Sequence, residues 1–155
     1  MKPIEILLVE DNPGDVRLTK EALRGAKVES NMIVARDGVE AIEYLRRAVC
    51  DLAPEGEAAS RPDLVLLDLN LPRKNGHEVL RWIKTCDSLR AIPVVILTTS
   101  SAESDVTACY DNHANCYLTK PVDFSGFVSA LSHMMDFWFQ VVRLPSRQDA
   151  YETTR

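Results

Sequence analysis

Polar side chains stand at the ends of four apolar runs in this sequence. These runs lead directly into Glu10 and Asp11, into Asp68, into Thr98 and into Lys120. A carboxylate that is buried without a partner is costly. The pattern therefore indicates either strands that end at the surface or a site that uses these charges.

Three carboxylates held close together repel one another. At an effective dielectric constant of about 20, each close pair costs on the order of a few kcal/mol. A divalent cation or a shared proton relieves the repulsion, and Mg²⁺ combines carboxylates with waters and a phosphate oxygen. The ammonium of Lys120 and the hydroxyl of Thr98 would complete a site for a phosphate oxyanion.

A nucleotide is not the natural occupant of such a site, because the sequence has no glycine-rich phosphate loop. We expect the phosphoryl group on Asp68 itself, as an acyl phosphate formed by in-line attack of the carboxylate. Each residue taken singly also has an ordinary role, as a helix cap, a surface turn or a β-branched strand residue. Their joint placement after four apolar runs favours the functional interpretation.

Alternating segments predict five strands, each followed by a helix. The predicted strands are 4–10, 28–36, 63–68, 92–99 and 115–121. Asn12, Asp37, Ser101 and Asp123 are placed to cap helices. The alternation predicts an α/β fold, a doubly wound five-stranded parallel sheet with helices on both faces. Ligands of such sheets bind at the carboxyl ends of the strands, where the polar residues should meet.

Bulk composition excludes several classes of function. The chain has 155 residues, 26% of them charged, and a net charge of −5. It has no basic block for nucleic acid or for a membrane surface, and its apolar runs are strand-sized. The N-terminus does not resemble a signal peptide, so we expect a cytoplasmic protein with reduced cysteines.

Cys109, His113 and Cys116 lie close enough in sequence to raise the question of zinc. Their spacing matches no standard zinc pattern. We favour a buried strand cysteine at Cys116 and ordinary helix residues at the other two positions.

Four sequence blocks resemble those of a known family. LLVED (7–11), LLDLNLPRKNG (66–76), LTTS (97–100) and YLTKP (117–121) are similar to the signature blocks of receiver domains, the phospho-aspartate modules of two-component response regulators. The resemblance covers about residues 4–140. It implies a flavodoxin-like strand order, 2-1-3-4-5, and makes Asp68 the acceptor of a phosphoryl group from a sensor histidine kinase.

The resemblance also implies a metal site. Asp11 and Asp68 would hold Mg²⁺ together with the backbone carbonyl of Asn70. Glu10, at a position where many receivers have aspartate, would act mostly through water. Asn70 also matches a position that tunes the loss of the phosphoryl group to water.

A switch is implied on the other side of the acceptor. The hydroxyl of Thr98 would move with a phosphoryl oxygen, and the ammonium of Lys120 would pair with the phosphoryl group. Tyr117 matches an aromatic position whose ring moves inward when the threonine shifts. Ser100 matches another position that tunes hydrolysis. The Lys120–Pro121 bond is expected to be cis, a form that prolyl bonds tolerate at low cost.

The last predicted helix carries more apolar side chains than one core stripe needs. The predicted stripe is Phe124, Phe127, Val128, Leu131, Met134, Met135, Trp138 and Val142, and a second face holds Phe137, Phe139 and Val141. A helix that is apolar all round is buried or paired. We therefore predict a homodimer through the fourth helix, fifth strand and fifth helix, with Tyr110 on the same surface.

Residues 1–142 are predicted to form the receiver domain, and 143–155 a flexible tail. No effector domain follows, so output is expected from the domain's own surface. This architecture, a long loop at 51–62 and an aromatic-rich last helix are similar to the response regulators of cyanobacterial phytochromes. A phytochrome kinase is therefore a candidate partner.

Two other functions compete with the signalling interpretation. A Mg²⁺-dependent phosphatase would use Asp68 as nucleophile, but such enzymes usually need a second acid where this chain has Asn70. A pseudo-receiver would be a pure interaction module, but it should lack Asp68 or Lys120, and both are present. The 51–62 loop is expected to be solvated, with a partner contact as the alternative.

Overall fold

A five-stranded parallel sheet forms the centre of the molecule. The computed structural model describes residues 2–49 and 59–145, and within them the strand order is β2-β1-β3-β4-β5. The strands are β1 (Ile4–Val9), β2 (Ser30–Ala35), β3 (Leu64–Leu67), β4 (Val94–Thr98) and β5 (Cys116–Thr119). Both the predicted fold class and the predicted order are confirmed.

Four helices connect the strands, and a fifth follows β5. They are α1 (Pro13–Arg24), α2 (Gly38–Ala48), α3 (Gly76–Thr85), α4 (Glu103–Asp111) and α5 (Phe124–Asp136). The side chains of Asn12, Asp37 and Asp123 accept a backbone N–H of the first turn, as predicted for these caps. Within the described residues, no helix is long and apolar enough to cross a membrane.

Successive apolar side chains of the central strands pack alternately into two separate cores, one on each face of the sheet. Leu7, Val9, Val65 and Leu67 point to the face that α2, α3 and α4 cover. Their neighbours Ile6, Leu8, Leu64 and Leu66 point to the opposite face, under α1 and α5. Because successive strand residues face opposite sides, an apolar run is the pattern of a strand covered on both faces.

The strands end one or two residues earlier than predicted. Glu10 and Asp68 each lie one residue beyond their strand, as does Lys120, whereas Thr98 is the last residue of β4. Pairing of Val9 with Leu67, and of Leu67 with Ile96, brings these ends to one edge.

Two details of the predicted helices were wrong. Ser101 does not cap α4: the cap position is Ala102, which has no side-chain acceptor. The hydroxyl of Ser100 accepts the Ala102 N–H instead, at 3.3 Å. Phe124 is not in the core, because it is the first residue of α5 and its side chain is 66% exposed.

The last helix changes its winding at its C-terminal end. Regular α-helix stops at Asp136, and Phe137–Val141 form a π-helical turn in which the N–H of Val142 donates to the carbonyl of Phe137, at 2.9 Å. Trp138 in this turn is buried against the α1–α5 core, as predicted.

Several earlier expectations fall partly outside the described residues. Of the 51–62 loop, only 59–62 are described, and they contain no helix or strand. Of the 143–155 tail, only 143–145 are described. Both expectations stay predictions.

Gly76, the first residue of α3, lies against the backbone that carries Asp68. A Cβ at Gly76 would stand 2.1 Å from the carbonyl oxygen of Asp68. A Cβ at Gly25, at the C-terminal cap of α1, would meet its nearest atom at 3.7 Å.

We predict that Gly76→Ala lowers the free energy of unfolding by about 1–3 kcal/mol, the usual cost of overpacking. Gly25→Ala is the matched control and should be neutral or stabilising by about 0.4–1 kcal/mol, through the unfolded state. Urea unfolding of the two variants measures both. Equal stability of the two variants would contradict the close approach at Gly76.

Candidate functional site

Three carboxylates meet where β1 and β3 end. The N–H of Asp68 donates to the carbonyl of Val9 at 3.0 Å, so the chain leaves both strands side by side. One carboxylate oxygen each from Glu10, Asp11 and Asp68 lies within 4.8 Å of the others. Glu10 and Asp68 are buried, whereas Asp11 is exposed. The structure thus brings together the three acids that the sequence predicted.

Lys120 brings its ammonium into this cluster from the end of β5. Its Nζ donates to Glu10 Oε2 at 2.7 Å, to Asp15 Oδ2 at 2.8 Å and to Asp68 Oδ2 at 3.2 Å. The Lys120 side chain is 4% exposed. An ammonium has three protons to donate, so all three are used.

Burial and charge shift the titration of this cluster. Burial raises the pKa of Glu10 to about 7; the hydrogen bond from Lys120 opposes the rise and the charge of Asp68 adds to it. Burial also works against the charge of Lys120, but its hydrogen bonds to Asp15 and Glu10 outweigh that effect and raise its pKa. The cluster therefore keeps its ammonium charged and holds excess negative charge.

The donor set suits a hard divalent cation. All three members of the acidic cluster offer oxygen, the ligand that Mg²⁺ and Mn²⁺ prefer. Exposure of Asp11 leaves one side of the cluster open to water, which such ions usually keep as ligands. The residues therefore fit a divalent metal site.

Zinc has no comparable site in the described residues. The acidic cluster is the single group there with metal-ligand geometry, and it contains no cysteine or histidine. Cys109 is fully buried on α4, and Cys116, predicted to be a buried strand cysteine, lies in β5 but is only half-buried. The Sγ atom of Cys109 lies 3.9 Å from Nδ1 of His77, a residue outside the predicted trio.

The loop after Asp68 is fixed from two sides. Asn70 is exposed, and its N–H donates to Asp68 Oδ1 at 3.3 Å. Arg73 has a positive φ of 65°, and its guanidinium donates to Asp37 Oδ2 at 3.0 and 2.8 Å. The α2 cap therefore helps to hold the loop that carries Asn70.

The predicted switch residues lie on β4, β5 and the loop after β4. Thr98 is fully buried, and its hydroxyl accepts the N–H of Ser100 at 3.4 Å. Tyr117 is half-buried, and its hydroxyl donates to the carbonyl of Ser100 at 2.8 Å. Ser100 thus links the threonine to the aromatic ring.

A polar network that the sequence did not reveal extends from Ser100. Its hydroxyl donates to Asp105 Oδ2 at 2.6 Å, and Asp105 Oδ1 lies 3.0 Å from Nε2 of His77. The hydrogen bonds from Ser100 and then His77 lower the pKa of Asp105. The network ties α3 and α4 to the loop after β4, and no spacing rule in the sequence pairs these residues.

Asp15 is a third site residue that the sequence did not reveal, besides Asp105 and His77. It lies in the first turn of α1, three residues after the cap Asn12, and contacts Lys120. Its position could have indicated this contact, because the first turn of α1 directly follows the acidic end of β1.

The predicted cis bond at Lys120–Pro121 was wrong. All peptide bonds of the described residues are trans. Trans is the intrinsically preferred isomer of a prolyl bond, by about 0.5–1 kcal/mol, so a proline in the sequence does not by itself specify cis.

The predicted dimer surface is only partly accessible. Tyr110, Phe137 and Val141 are 49%, 51% and 74% exposed. Phe139 is half-buried and packs against the α1–α5 core. These positions offer exposed apolar area near the end of the last helix and on α4.

Known proteins are similar to this chain in sequence and in fold. Residues 6–132 match the response regulator receiver domain family. The chain is 44% identical to the response regulator Rcp1 of Synechocystis sp. over 144 residues, which are 93% of this chain and 95% of that protein.

Solved structures agree with that match. One is the crystal structure of the phosphorylated cyanobacterial phytochrome response regulator RcpA, whose sequence is 46% identical to this chain. The two structures superpose with a TM-score of 0.86, over 94% of this chain and 100% of the RcpA chain. Another is the Mn²⁺-bound form of Rcp1, which is 44% identical in sequence. It superposes with a TM-score of 0.85, over 93% of this chain and 100% of the Rcp1 chain.

We predict that metal affinity rises with pH. Below its pKa of about 7, Glu10 is protonated and must lose its proton when a cation binds. Affinity is therefore lost as the pH falls through 7, and Mg²⁺ should bind about tenfold more weakly at pH 6 than at pH 8. Isothermal titration calorimetry at the two pH values measures the ratio.

Glu10→Gln is the control, because it cannot titrate. Its affinity should be low and nearly constant over the same pH range. A wild-type affinity that does not change between pH 6 and 8 would contradict the raised pKa of Glu10.

Proposed function

The chain belongs to the response regulator receiver domain family, the phosphoacceptor modules of two-component signalling, and we propose that Asp68 is its phosphoacceptor. One observation carries the proposal: Asp68 contacts the buried ammonium of Lys120 at 3.2 Å beside the carboxylates of Glu10 and Asp11. A carboxylate in this position can attack a phosphoryl group while cations take up the charge that develops.

The proposed reaction transfers one phosphoryl group. An Asp68 oxygen attacks phosphorus in line with the leaving group, so that a new O–P bond forms while the bond from phosphorus to the donor breaks. With phosphohistidine as donor, the broken bond is N–P and the electron pair returns to the imidazole. The chemistry would be confined to phosphorylation and dephosphorylation of the protein itself.

Mg²⁺ is the proposed ion of the divalent site. Asp11, Asp68 and the backbone carbonyl of Asn70 would hold it, with Glu10 acting mostly through water. When bound, the ion neutralises charge on the phosphoryl oxygens. The Mn²⁺-bound form of Rcp1, a solved relative, supports a metal in this family.

The proposed switch starts from Thr98 and Lys120. Phosphorylation adds charge and three strong acceptor oxygens, which would recruit the Thr98 hydroxyl and the Lys120 ammonium. A shift of Thr98 would reach Ser100, whose backbone is bonded to both Thr98 and Tyr117. Phosphate binding would thereby bias an existing equilibrium between two arrangements of β4, β5 and α4.

A receiver domain implies a histidine kinase as partner. We propose that this kinase belongs to the phytochrome class, because the similar protein RcpA is a cyanobacterial phytochrome response regulator. We also propose that the protein is cytoplasmic, because it would have to meet the kinase domain in that compartment. Residues 1–142 would form the receiver unit.

We predict that Mg²⁺ with acetyl phosphate adds one labile phosphate to the protein. Intact-protein mass spectrometry measures the adduct, and Asp68→Asn should abolish it because the amide cannot act as nucleophile. Rapid consumption of acetyl phosphate without an adduct would favour a phosphatase. Neither adduct nor consumption would favour a pseudo-receiver.

The homodimer is also a proposal. Exposed Tyr110 on α4 and exposed Phe137 and Val141 in the π-helical turn supply apolar area on the α4–β5–α5 face. An isologous interface uses the same patch on both copies, so each exposed apolar residue would count twice.

Val141→Asp should weaken the dimer at least tenfold without affecting the fold, because Val141 is 74% exposed. Sedimentation equilibrium measures the dissociation constant. Ile33→Asp is the control, since Ile33 is 43% exposed on β2, at the edge of the sheet opposite β5. Equal dissociation constants for the two variants would remove this face as the interface.

A further inference from the structure

Asp15 holds one of the three bonds of the Lys120 ammonium. Its Oδ2 lies 2.8 Å from Nζ, and Glu10 Oε2 lies 2.7 Å away, whereas Asp68 Oδ2 is more distant at 3.2 Å. The two shorter bonds therefore go to carboxylates other than the proposed acceptor. Lys120 is drawn toward Glu10 and Asp15.

We infer that Asp15 is a positioning residue that competes with the phosphoryl group on Asp68 for the Lys120 ammonium. The inference rests on the proposed phosphoacceptor role of Asp68. Asp15 belongs neither to the acidic cluster nor to the predicted switch residues, so its effect on the phosphoryl group acts through Lys120.

The competition follows from the number of donors. All three protons of the Lys120 ammonium already have carboxylate acceptors. A phosphoryl oxygen needs one of them, so at least one present bond must break or lengthen. Bonds between charged groups are the strong ones, which means that Asp15 lowers the gain from each new Lys120–phosphoryl contact.

The backbone of Asp15 is held in place at the start of α1, beside the Lys120 ammonium. Its N–H donates to the cap side chain of Asn12 at 3.1 Å, and its carbonyl accepts the Thr19 hydroxyl at 2.8 Å. These bonds hold the backbone of Asp15 and leave its carboxylate available to Lys120. An Asp15→Asn variant keeps both bonds and loses only the charge.

The competition would act on both states of the site. Asp15 keeps Lys120 from closing fully on Asp68, which leaves the Asp68 carboxylate less neutralised and available as nucleophile. It also raises the cost of the phosphorylated arrangement, in which Lys120 must serve the phosphoryl oxygens. Asp15 would thus tune the balance between the two states.

The test measures binding of beryllofluoride, a tetrahedral mimic of the phosphoryl group on a carboxylate. It is titrated at saturating Mg²⁺, with tryptophan fluorescence and calorimetry as readouts. Asp15→Asn should bind on the order of tenfold more tightly than wild type. Glu21→Gln is the matched control on the same helix, because Glu21 contacts Arg24 rather than Lys120, and its affinity should equal that of wild type.

A double-mutant cycle separates competition from simple charge repulsion. In a Lys120→Gln background, Asp15→Asn should no longer tighten binding, because no ammonium is left to compete for. A tenfold gain that persists in that background would overturn the inference, and so would an Asp15→Asn affinity equal to that of wild type. Asp15→Glu, which restores a carboxylate, should return the affinity toward wild type.

Failure of the proposed function gives a different result. If wild type and Asp68→Asn bind beryllofluoride equally, Asp68 is not the acceptor and both proposals fall. If wild type binds it through Asp68 and Asp15→Asn is unchanged, only the inference on Asp15 falls.

Discussion

The ammonium of Lys120 among the carboxylates of Glu10, Asp15 and Asp68 is the interaction on which the rest of this structure depends. Among the described residues, one positive charge contacts these three acids beside Asp11, so the acids there outnumber the ammonium. Burial makes that imbalance expensive, and it is relieved by a proton, a divalent cation or a rearrangement of Lys120. The same imbalance makes the site responsive: any change in charge at Asp68 alters what Lys120 can bind.

The fold creates this concentration of charge through a simple geometric constraint. Parallel strands all end at one edge of their sheet, and strand order decides which ends are neighbours. Here β1 and β3 are paired, so their terminal acids meet, and β5 reaches the cluster only because Lys120 is long enough to extend from the sheet edge. The first turn of α1 adds Asp15 from the side. Close approach of Gly76 to the Asp68 backbone completes the fixed frame.

On the side facing α4, the site is continued by hydrogen bonds rather than by ion pairs alone. Ser100 is the junction: its backbone contacts Thr98 and Tyr117, and its hydroxyl contacts Asp105, which in turn contacts His77. A displacement of the loop after β4 must therefore change bonds to α3, α4 and β5 together. Such a coupled set is the kind of element that moves between discrete arrangements instead of deforming gradually.

Patterns in the sequence were sufficient to predict the architecture and the acids that meet at one edge of the sheet. Apolar runs ending in Glu10, Asp68, Thr98 and Lys120 were enough to predict a parallel sheet with a charged edge, because strand periodicity and strand ends are local properties of the chain. The partners of Lys120 and the isomer of the bond that follows it became known from the three-dimensional structure. Which of several acids an ammonium contacts, and whether a prolyl bond departs from trans, depends on atoms that are distant in sequence. Local patterns carry no information about those distances.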